Sequence, residues 1–307
     1  MRSNEDFYAY VNGKFVKNKS ASISVFDRGL MYGDGVYEAI RLHEHFLYRI
    51  DDHMRRLENG LKYLRIKSSS LTAKFVFESL MKTINYNSVK DGYFRIIVTR
   101  GKSKMGVDPR NAKEPTLLIF MEDRKPLSLG KYSSTAKIVT VQQPHINALD
   151  PRIKTLNYLN KVLATLECLA DGYDHPILLT SEGYVTEAGT ENIFVEYEGE
   201  LYTPNTEIGL LPGITRDSVI KISKHLGIKV NEILMKQDFL KKADLIFLTG
   251  TSAGLVPLSK LDKKRYNSKS DILSRISDNY IKSLNNKIPY ITSFDIRKWP
   301  KKSLSLE

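Results

Sequence analysis

Between Glu122 and Leu129 a regular succession of apolar runs lapses into Asp123-Arg124-Lys125-Pro126. Proline removes a backbone donor and the charges have no apolar partner, so neither strand nor helix continues through this stretch. It is the best candidate for a domain boundary in a chain of 307 residues, a length that favours two cores over one. The expected organisation is a small N-terminal α/β domain over 1–123, a linker over 124–136, a larger C-terminal domain over 137–285 and a basic tail over 286–307.

Local patterns fill in both halves. Phe7 to Val11 and Phe15-Val16 flank Asn12-Gly13, a strong hairpin signal. Val36 to Leu42 and Phe46 to Ile50 read as a second strand pair. Met54, Leu57, Leu61 and Leu64 have helical spacing, and a second helix is expected over Leu71 to Ile84. Extended runs follow at Tyr93 to Thr99 and Thr116 to Phe120. Beyond the break, a strand is expected near Lys137 to Val141. Leu156, Leu159, Leu163, Leu166 and Leu169 or Ala170 then form one stripe of a helix stopping near Gly172. Strands are expected at Ile177 to Thr180, Ile193 to Tyr197, Leu201 to Thr203 and Leu245 to Thr249, with a helix from Thr215 to about Gly227.

Composition narrows the functional classes. The formal charge is +12, yet +7 of it falls between Lys263 and Glu307, away from every motif considered below. With no nucleic-acid-binding pattern beside it, this reads as a solvated basic surface, and nucleic acid is not the expected partner. The polar N-terminus and the lack of a long apolar run point to a cytoplasmic protein with no membrane association. The single cysteine, Cys168, lies in an apolar helical segment and reads as a buried structural thiol. His43-Glu44-His45 falls at a hairpin turn with no third ligand apparent, so no metal site is expected.

The chemistry-bearing segments lie in the second half. Lys154 precedes Asn157-Tyr158-Leu159, and an acidic turn, Gly183 to Asn192, is expected to follow with Glu187 at its centre. A lysine amine can hold an aldehyde cofactor as an imine, and a carboxylate beside a pyridine nitrogen keeps that nitrogen protonated; together they suggest pyridoxal phosphate chemistry. Lys137 and Lys161 are rivals for the lysine role, but neither is followed by Asn-Tyr-Leu. A phosphate dianion suits backbone N–H groups at a helix start, and Gly213-Ile214-Thr215 and Gly250-Thr251-Ser252 offer such turns.

Six segments occur in a fixed order: Tyr32 to Arg41, Asp52 to Leu57, Lys154 to Leu159, Gly183 to Phe194, Leu211 to Asp217 and Leu248 to Thr251. In that order they resemble the class IV, or fold type IV, pyridoxal phosphate aminotransferases over about residues 8 to 260. The resemblance implies an α/β chain of α+β type with two domains, the cofactor at their interface, and a homodimer. It makes Lys154 the imine lysine and proton shuttle, and Glu187 the partner of the pyridine nitrogen. Tyr158 would meet the ring phenolate oxygen. Arg56, Gly213, Ile214, Thr215 and Thr251 would hold the phosphate, and Leu211 would pack on the ring.

Substrate-side residues resemble the branched-chain members. Tyr93-Phe94-Arg95 is similar to their Tyr-x-Arg strand, and alternation puts Tyr93 and Arg95 on one face. Met105-Gly106-Val107 is similar to their Met-Gly-Val loop, which places Val107 in an aliphatic pocket. Tyr32 and Tyr37 would complete an aromatic wall, and Thr251 and Ser252 would meet the substrate carboxylate. The implied reaction moves the amino group of leucine, isoleucine or valine to 2-oxoglutarate. D-amino-acid aminotransferases and aminodeoxychorismate lyases share the cofactor residues and are the alternatives. The chain departs from the branched-chain pattern at Ser252-Ala253-Gly254, where an acidic residue is missing. It departs again at Asn267 to Asp271, which replaces a Gly-Pro-x-Thr segment.

Overall fold

The computed structural model describes residues 4–69, 71–112, 114–122, 127, 129–130 and 132–300. The expected boundary Asp123 to Pro126 lies outside the described residues, as do parts of the linker and residues 301–307 of the tail. The first half contains β1 (Tyr8–Val11), β2 (Lys14–Lys17), α1 (Arg28–Tyr32), β3 (Gly35–His43), β4 (Phe46–Tyr48), α2 (Ile50–Tyr63), α3 (Ala73–Asn87), β5 (Gly92–Thr99) and β6 (Thr116–Glu122). The second half runs through β7 (Ser134–Ile138), α4 (Leu159–Ala170), β8 (His175–Leu179), β9 (Val185–Ala188), β10 (Asn192–Tyr197), β11 (Glu200–Pro204) and α5 (Ile214–His225). It continues with β12 (Val230–Ile233), α6 (Gln237–Leu240), β13 (Leu245–Gly250), β14 (Gly254–Leu261), β15 (Lys264–Arg265), α7 (Asp271–Leu284) and β16 (Ser293–Asp295).

Two sheets result. The first has seven strands in the order β16-β4-β3-β5-β6-β1-β2, and the second has nine, running β12-β11-β10-β13-β14-β7-β8-β9 with β15 paired to β14. Alternation along β3, β5 and β6 sends Ile40, Leu42, Phe94, Ile96, Val98, Leu117, Ile119 and Met121 to one face. There they pack with Leu57 and Leu61 of α2 and Val76, Leu80 and Ile84 of α3 in a single core. Thr72 caps α3, its hydroxyl accepting from Phe75 N at 3.1 Å. The opposite face, carrying Tyr37, Ala39, Arg41, Tyr93 and Arg95, is left for other work, and the register Ala39↔Arg95 and Arg41↔Tyr93 sets these side chains next to each other.

Three local expectations change. The stripe Leu159, Leu163, Leu166 and Leu169 is exposed, because α4 buries its small residues Ala164 and Cys168 against the second sheet instead. Small side chains let the helix sit close to the strands, which leaves its larger apolar face outward. The acidic segment expected as a turn carries a strand, β9, paired antiparallel with β8, and Glu187 stands where the register between the two strands shifts. The region assigned to a basic tail is also corrected in part. Its residues Ser293 to Asp295 pair with Tyr48 to Phe46 as the edge strand of the first sheet. Phe294 and Trp299 each set a ring centroid 5.3 Å from that of Phe77 on α3, and this apolar anchoring accounts for the docking.

Candidate active site

The two sheets meet at a cleft of about 200 Å³. The first wall depends on an interrupted strand edge. β4 pairs with β3 only at Leu42 and His43, which leaves the first residues of β3 without a partner strand on that side. The Lys154 segment takes that edge: Tyr37 N donates to Lys154 O at 3.0 Å, and Leu156 N donates to Gly35 O at 3.0 Å. Asn157 completes the docking, its Nδ2 donating to Gly33 O at 3.0 Å. Gly33 has a φ of +64°, and a Cβ there would lie 2.6 Å from Asn157 Oδ1, so Asn157 can sit here only against glycine. The two sequence motifs Gly33-Asp34-Gly35 and Asn157-Tyr158-Leu159 are halves of one junction.

Lys154 thus reaches the cleft from a clamped backbone. Its amine lies 4.4 Å from the Tyr37 ring centroid, and Arg95 sits over the same ring at 4.8 Å. Burial, the Arg56 charge and Lys161 bring the Lys154 amine down to about 7, against the opposing effect of Glu38 and Glu187. A neutral, nucleophilic amine is therefore well populated near neutral pH. Burial also pushes the Tyr37 hydroxyl up to about 12, keeping it protonated, and raises Tyr158. Tyr158 meets Tyr37 edge to face, with centroids 5.3 Å apart.

Arg56 is fixed by a buried carboxylate that sequence reasoning missed. Arg56 Nε and Nη2 donate to the two oxygens of Glu38 at 2.6 and 2.8 Å, and His53 Nδ1 lies 2.8 Å from Glu38 Oε2. Burial acts to raise Glu38, but the Arg56 and His53 contacts outweigh it and hold the carboxyl well below the usual carboxylate range. Arg56 Nη1 reaches across to Pro212 O at 3.2 Å, tying α2 to the loop before α5. A signal existed: Glu38 is the one charged residue in the inward phase of Val36, Ile40 and Leu42.

The second wall supplies backbone. Gly213 caps α5, whose first-turn N–H groups lack intrahelical acceptors. A Cβ on Gly213 would fall 2.0 Å from Asn192 Oδ1, so only glycine allows this approach. Thr215 is buried beside it. The turn joining β13 to β14 brings Gly250, Thr251 and Ser252 to the same cleft. Where an acidic residue is missing from this turn, Arg41 of the first sheet supports it, Nη2 donating to Ser252 O at 2.8 Å.

Glu187 lies behind the cleft, buried on β9. Its Oε1 accepts from Lys161 Nζ at 2.5 Å and Gln143 Nε2 at 2.9 Å; its Oε2 accepts from Leu211 N at 3.2 Å and Asn192 Nδ2 at 3.5 Å. Of the expected site residues, Tyr37, Arg56, Tyr93, Arg95, Lys154, Leu211, Gly213, Ile214, Thr215, Thr251 and Ser252 line the cleft. Tyr158 and Glu187 flank it. Tyr32 and Val107 do not line it, which departs from the expected aromatic and aliphatic wall. The Tyr32 hydroxyl accepts from Gly106 N at 2.7 Å, and Arg28 donates to the carbonyls of Gly106 and Val107 at 3.0 and 2.9 Å. These bonds hold α1 and the 103–108 loop to each other, and Val107 is 82% exposed. Arg41, Gln143 and Asn192 join the site without having been expected.

The arrangement offers a poised amine, an arginine and helix-start pair suited to a phosphate dianion, and a buried carboxylate some distance behind. Comparison with known proteins agrees with it. Residues 35–261 match the family model described as Amino-transferase class IV. A Methanocaldococcus jannaschii protein provisionally named a branched-chain-amino-acid aminotransferase is 40% identical over 260 residues, covering 85% of this chain and 90% of the relative. An aminodeoxychorismate lyase from Bacillus subtilis is 31% identical over 282 residues, covering 91% of this chain and 95% of the relative. The crystal structure of the T.th. branched-chain amino acid aminotransferase, complexed with N-(5'-phosphopyridoxyl)-L-glutamate, superposes with a TM-score of 0.86 at 28% identity, covering 94% of this chain and 98% of that one.

Proposed function

The chain belongs to the class IV aminotransferases, and from that premise we propose that it transfers the amino group of a branched-chain L-amino acid to 2-oxoglutarate. It is an aminotransferase of fold type IV that uses pyridoxal 5′-phosphate. The bound cofactor supplies a carbonyl that takes up the amino group and a ring that accepts the electron pair left at Cα. The residues present fit that group. Arg56 and the N–H groups of Ile214 and Thr215, with the Thr215 and Thr251 hydroxyls, suit the phosphate. The close approach allowed by Gly213 suits it too. Glu187 suits the ring nitrogen, Tyr158 the ring oxygen and Leu211 a ring face.

In this reading Lys154 Nζ would remove the substrate's Cα proton and deliver it to the carbonyl carbon that the cofactor supplies, which an amine titrating at about 7 can do in either direction near neutral pH. Tyr93, Arg95 and the turn at Thr251-Ser252 hold the substrate carboxylates, and Tyr37 walls the side chain. The observation that carries the proposal is Lys154 and Arg95 both set against the Tyr37 ring, an amine for chemistry and a guanidinium for a dicarboxylate within one cleft.

A cytoplasmic homodimer is part of the same proposal. Its support is the outward apolar stripe of α4 and the exposed Met105 and Val107, at 80% and 82%. Tyr32 and Val107 would then reach substrate only from a second copy. The similarity to the lyase keeps a second reading, in which aminodeoxychorismate is the substrate. Purified protein is to be incubated with 2-oxoglutarate and L-leucine, with D-alanine, and with aminodeoxychorismate, while the cofactor spectrum is recorded. Glutamate formation from L-leucine is the expected result. Turnover confined to D-alanine or aminodeoxychorismate overturns the substrate assignment, and a colourless protein that binds no cofactor overturns the whole reading.

A further inference from the structure

The carboxylate of Glu187 is already fully engaged by protein donors. A carboxylate offers roughly four acceptor positions, and Lys161, Gln143, Leu211 N and Asn192 take them. A ring nitrogen that donates to Glu187 must therefore replace one of these. Gln143 also donates to Gly209 O at 3.1 Å, Asn192 also donates to Leu211 O at 2.9 Å, and the Leu211 amide is backbone. Lys161 is the charged donor and is carried on a flexible four-carbon stem. Beside it lies a small cavity of about 30 Å³, bordered by Pro144, Asn160 and Tyr158. That volume holds roughly one water and gives the amine somewhere to move.

We propose that Lys161 is a stand-in cation: it neutralises Glu187 while the protein lacks cofactor and gives up its oxygen when the ring nitrogen arrives. This rests on the cofactor reading above. The side chains of Glu187 and Lys161 are only 3% and 13% exposed, so an unpaired Glu187 is costly in the cofactor-free protein. Once loaded, the ring nitrogen provides the positive partner and the lysine is no longer required there. Lys161 thus stabilises the empty protein and competes with the ligand. It acts through Glu187 and is a positioning residue.

The test compares the full chain with Lys161→Met and Lys161→Arg, each with and without pyridoxal 5′-phosphate. Thermal midpoints are read in both states, and Kd is read from the visible band on titration. For Lys161→Met the cofactor-free midpoint falls by roughly 5 °C. The loaded midpoint stays near that of the parent, and Kd tightens about 10-fold by linkage. Lys161→Arg keeps the parental gap. A Lys161→Met chain that folds only with cofactor is the same result in a stronger form. Equal falls in both states, an unchanged or weaker Kd, failure to fold in either state, or Lys161→Arg behaving like Lys161→Met each overturn the proposal. If the parent itself gains neither colour nor thermal stability from the cofactor, the functional reading fails first, which separates the two.

Discussion

The wall built on β3, β5 and α2 presents charged side chains to the cleft, Arg56, Arg95 and the docked Lys154, whereas the wall formed by the start of α5 and the β13–β14 turn presents backbone N–H groups and hydroxyls. The first kind of wall needs scaffolding. Arg56 is held by Glu38, Glu38 by His53, and Lys154 by backbone pairing to β3. The second needs space, supplied by Gly213, and a helix end, which any α-helix has. Charge brought by side chains is thus paid for with buried partners, while partial charge on backbone comes with the fold itself. Errors in the two walls should have different consequences.

The largest effect is expected at the charged wall. Lys154→Ala should lower kcat by about 10³-fold or more, since it removes the proton-transfer group, and should abolish the cofactor's lysine-dependent absorbance. A variant with near-parental turnover removes Lys154 from its role. Next comes the scaffold. Glu38→Gln leaves the Arg56 guanidinium without its buried counterion and should destabilise the fold by about 3 kcal/mol, measured by urea unfolding. A loss within about 0.5 kcal/mol, the range of an ordinary surface change, would mean that the charged wall holds itself.

The pH dependence of stability should sharpen the contrast, because Lys154 and Glu38 act with opposite sign. The Lys154 amine sits at about 7 in the fold against an ordinary 10.5, so the unfolded chain binds more protons between these values. Its destabilising contribution is therefore full below pH 7 and vanishes above pH 10.5. Lys154→Met, free of cofactor, should be more stable than the parent by about 2 kcal/mol at pH 6.5, with the gain fading toward pH 10.5. Glu38 has a depressed value, so its stabilising contribution is complete above its ordinary 4.5 and is lost in acid. A pH-independent gain in Lys154→Met would show that shape, not charge, sets the effect. The smallest effect belongs to the backbone wall. Thr215→Val removes one hydroxyl and leaves every N–H in place, so cofactor affinity should weaken by about 1 kcal/mol, beside a stability loss of similar size because that hydroxyl also bonds the buried Tyr280. A loss as large as that of an Arg56 substitution would erase the distinction between the walls.

Much of this was legible in the sequence, and the physical reason differs by element. Alternation placed Tyr93 and Arg95 on one face because a strand repeats every two residues, and β5 is a central strand with neighbours on both sides. The glycine of Gly213-Ile214-Thr215 was legible because close approach admits no side chain. Glu38 was hidden by its own context, a charge inside an apolar run whose partners, His53 and Arg56, are fifteen and eighteen residues away. Arg41 was hidden by distance, since it meets Ser252 across 211 positions. The leucine stripe of α4 was visible as a pattern, yet its direction was not: periodicity says that one face is apolar without saying whether that face is turned inward. Tyr32 and Val107 were expected at the cleft through resemblance, and the single chain keeps them elsewhere.

The edge strand Ser293 to Asp295 closes the first sheet with residues that the ribosome makes after the whole of the second. During synthesis β4 therefore waits with one side bare while about 240 further residues emerge, a span counted from Tyr48 to Ser293. An open strand side of this kind invites pairing with another nascent chain. That hazard ends only when the late strand docks and Trp299 seats beside Phe77.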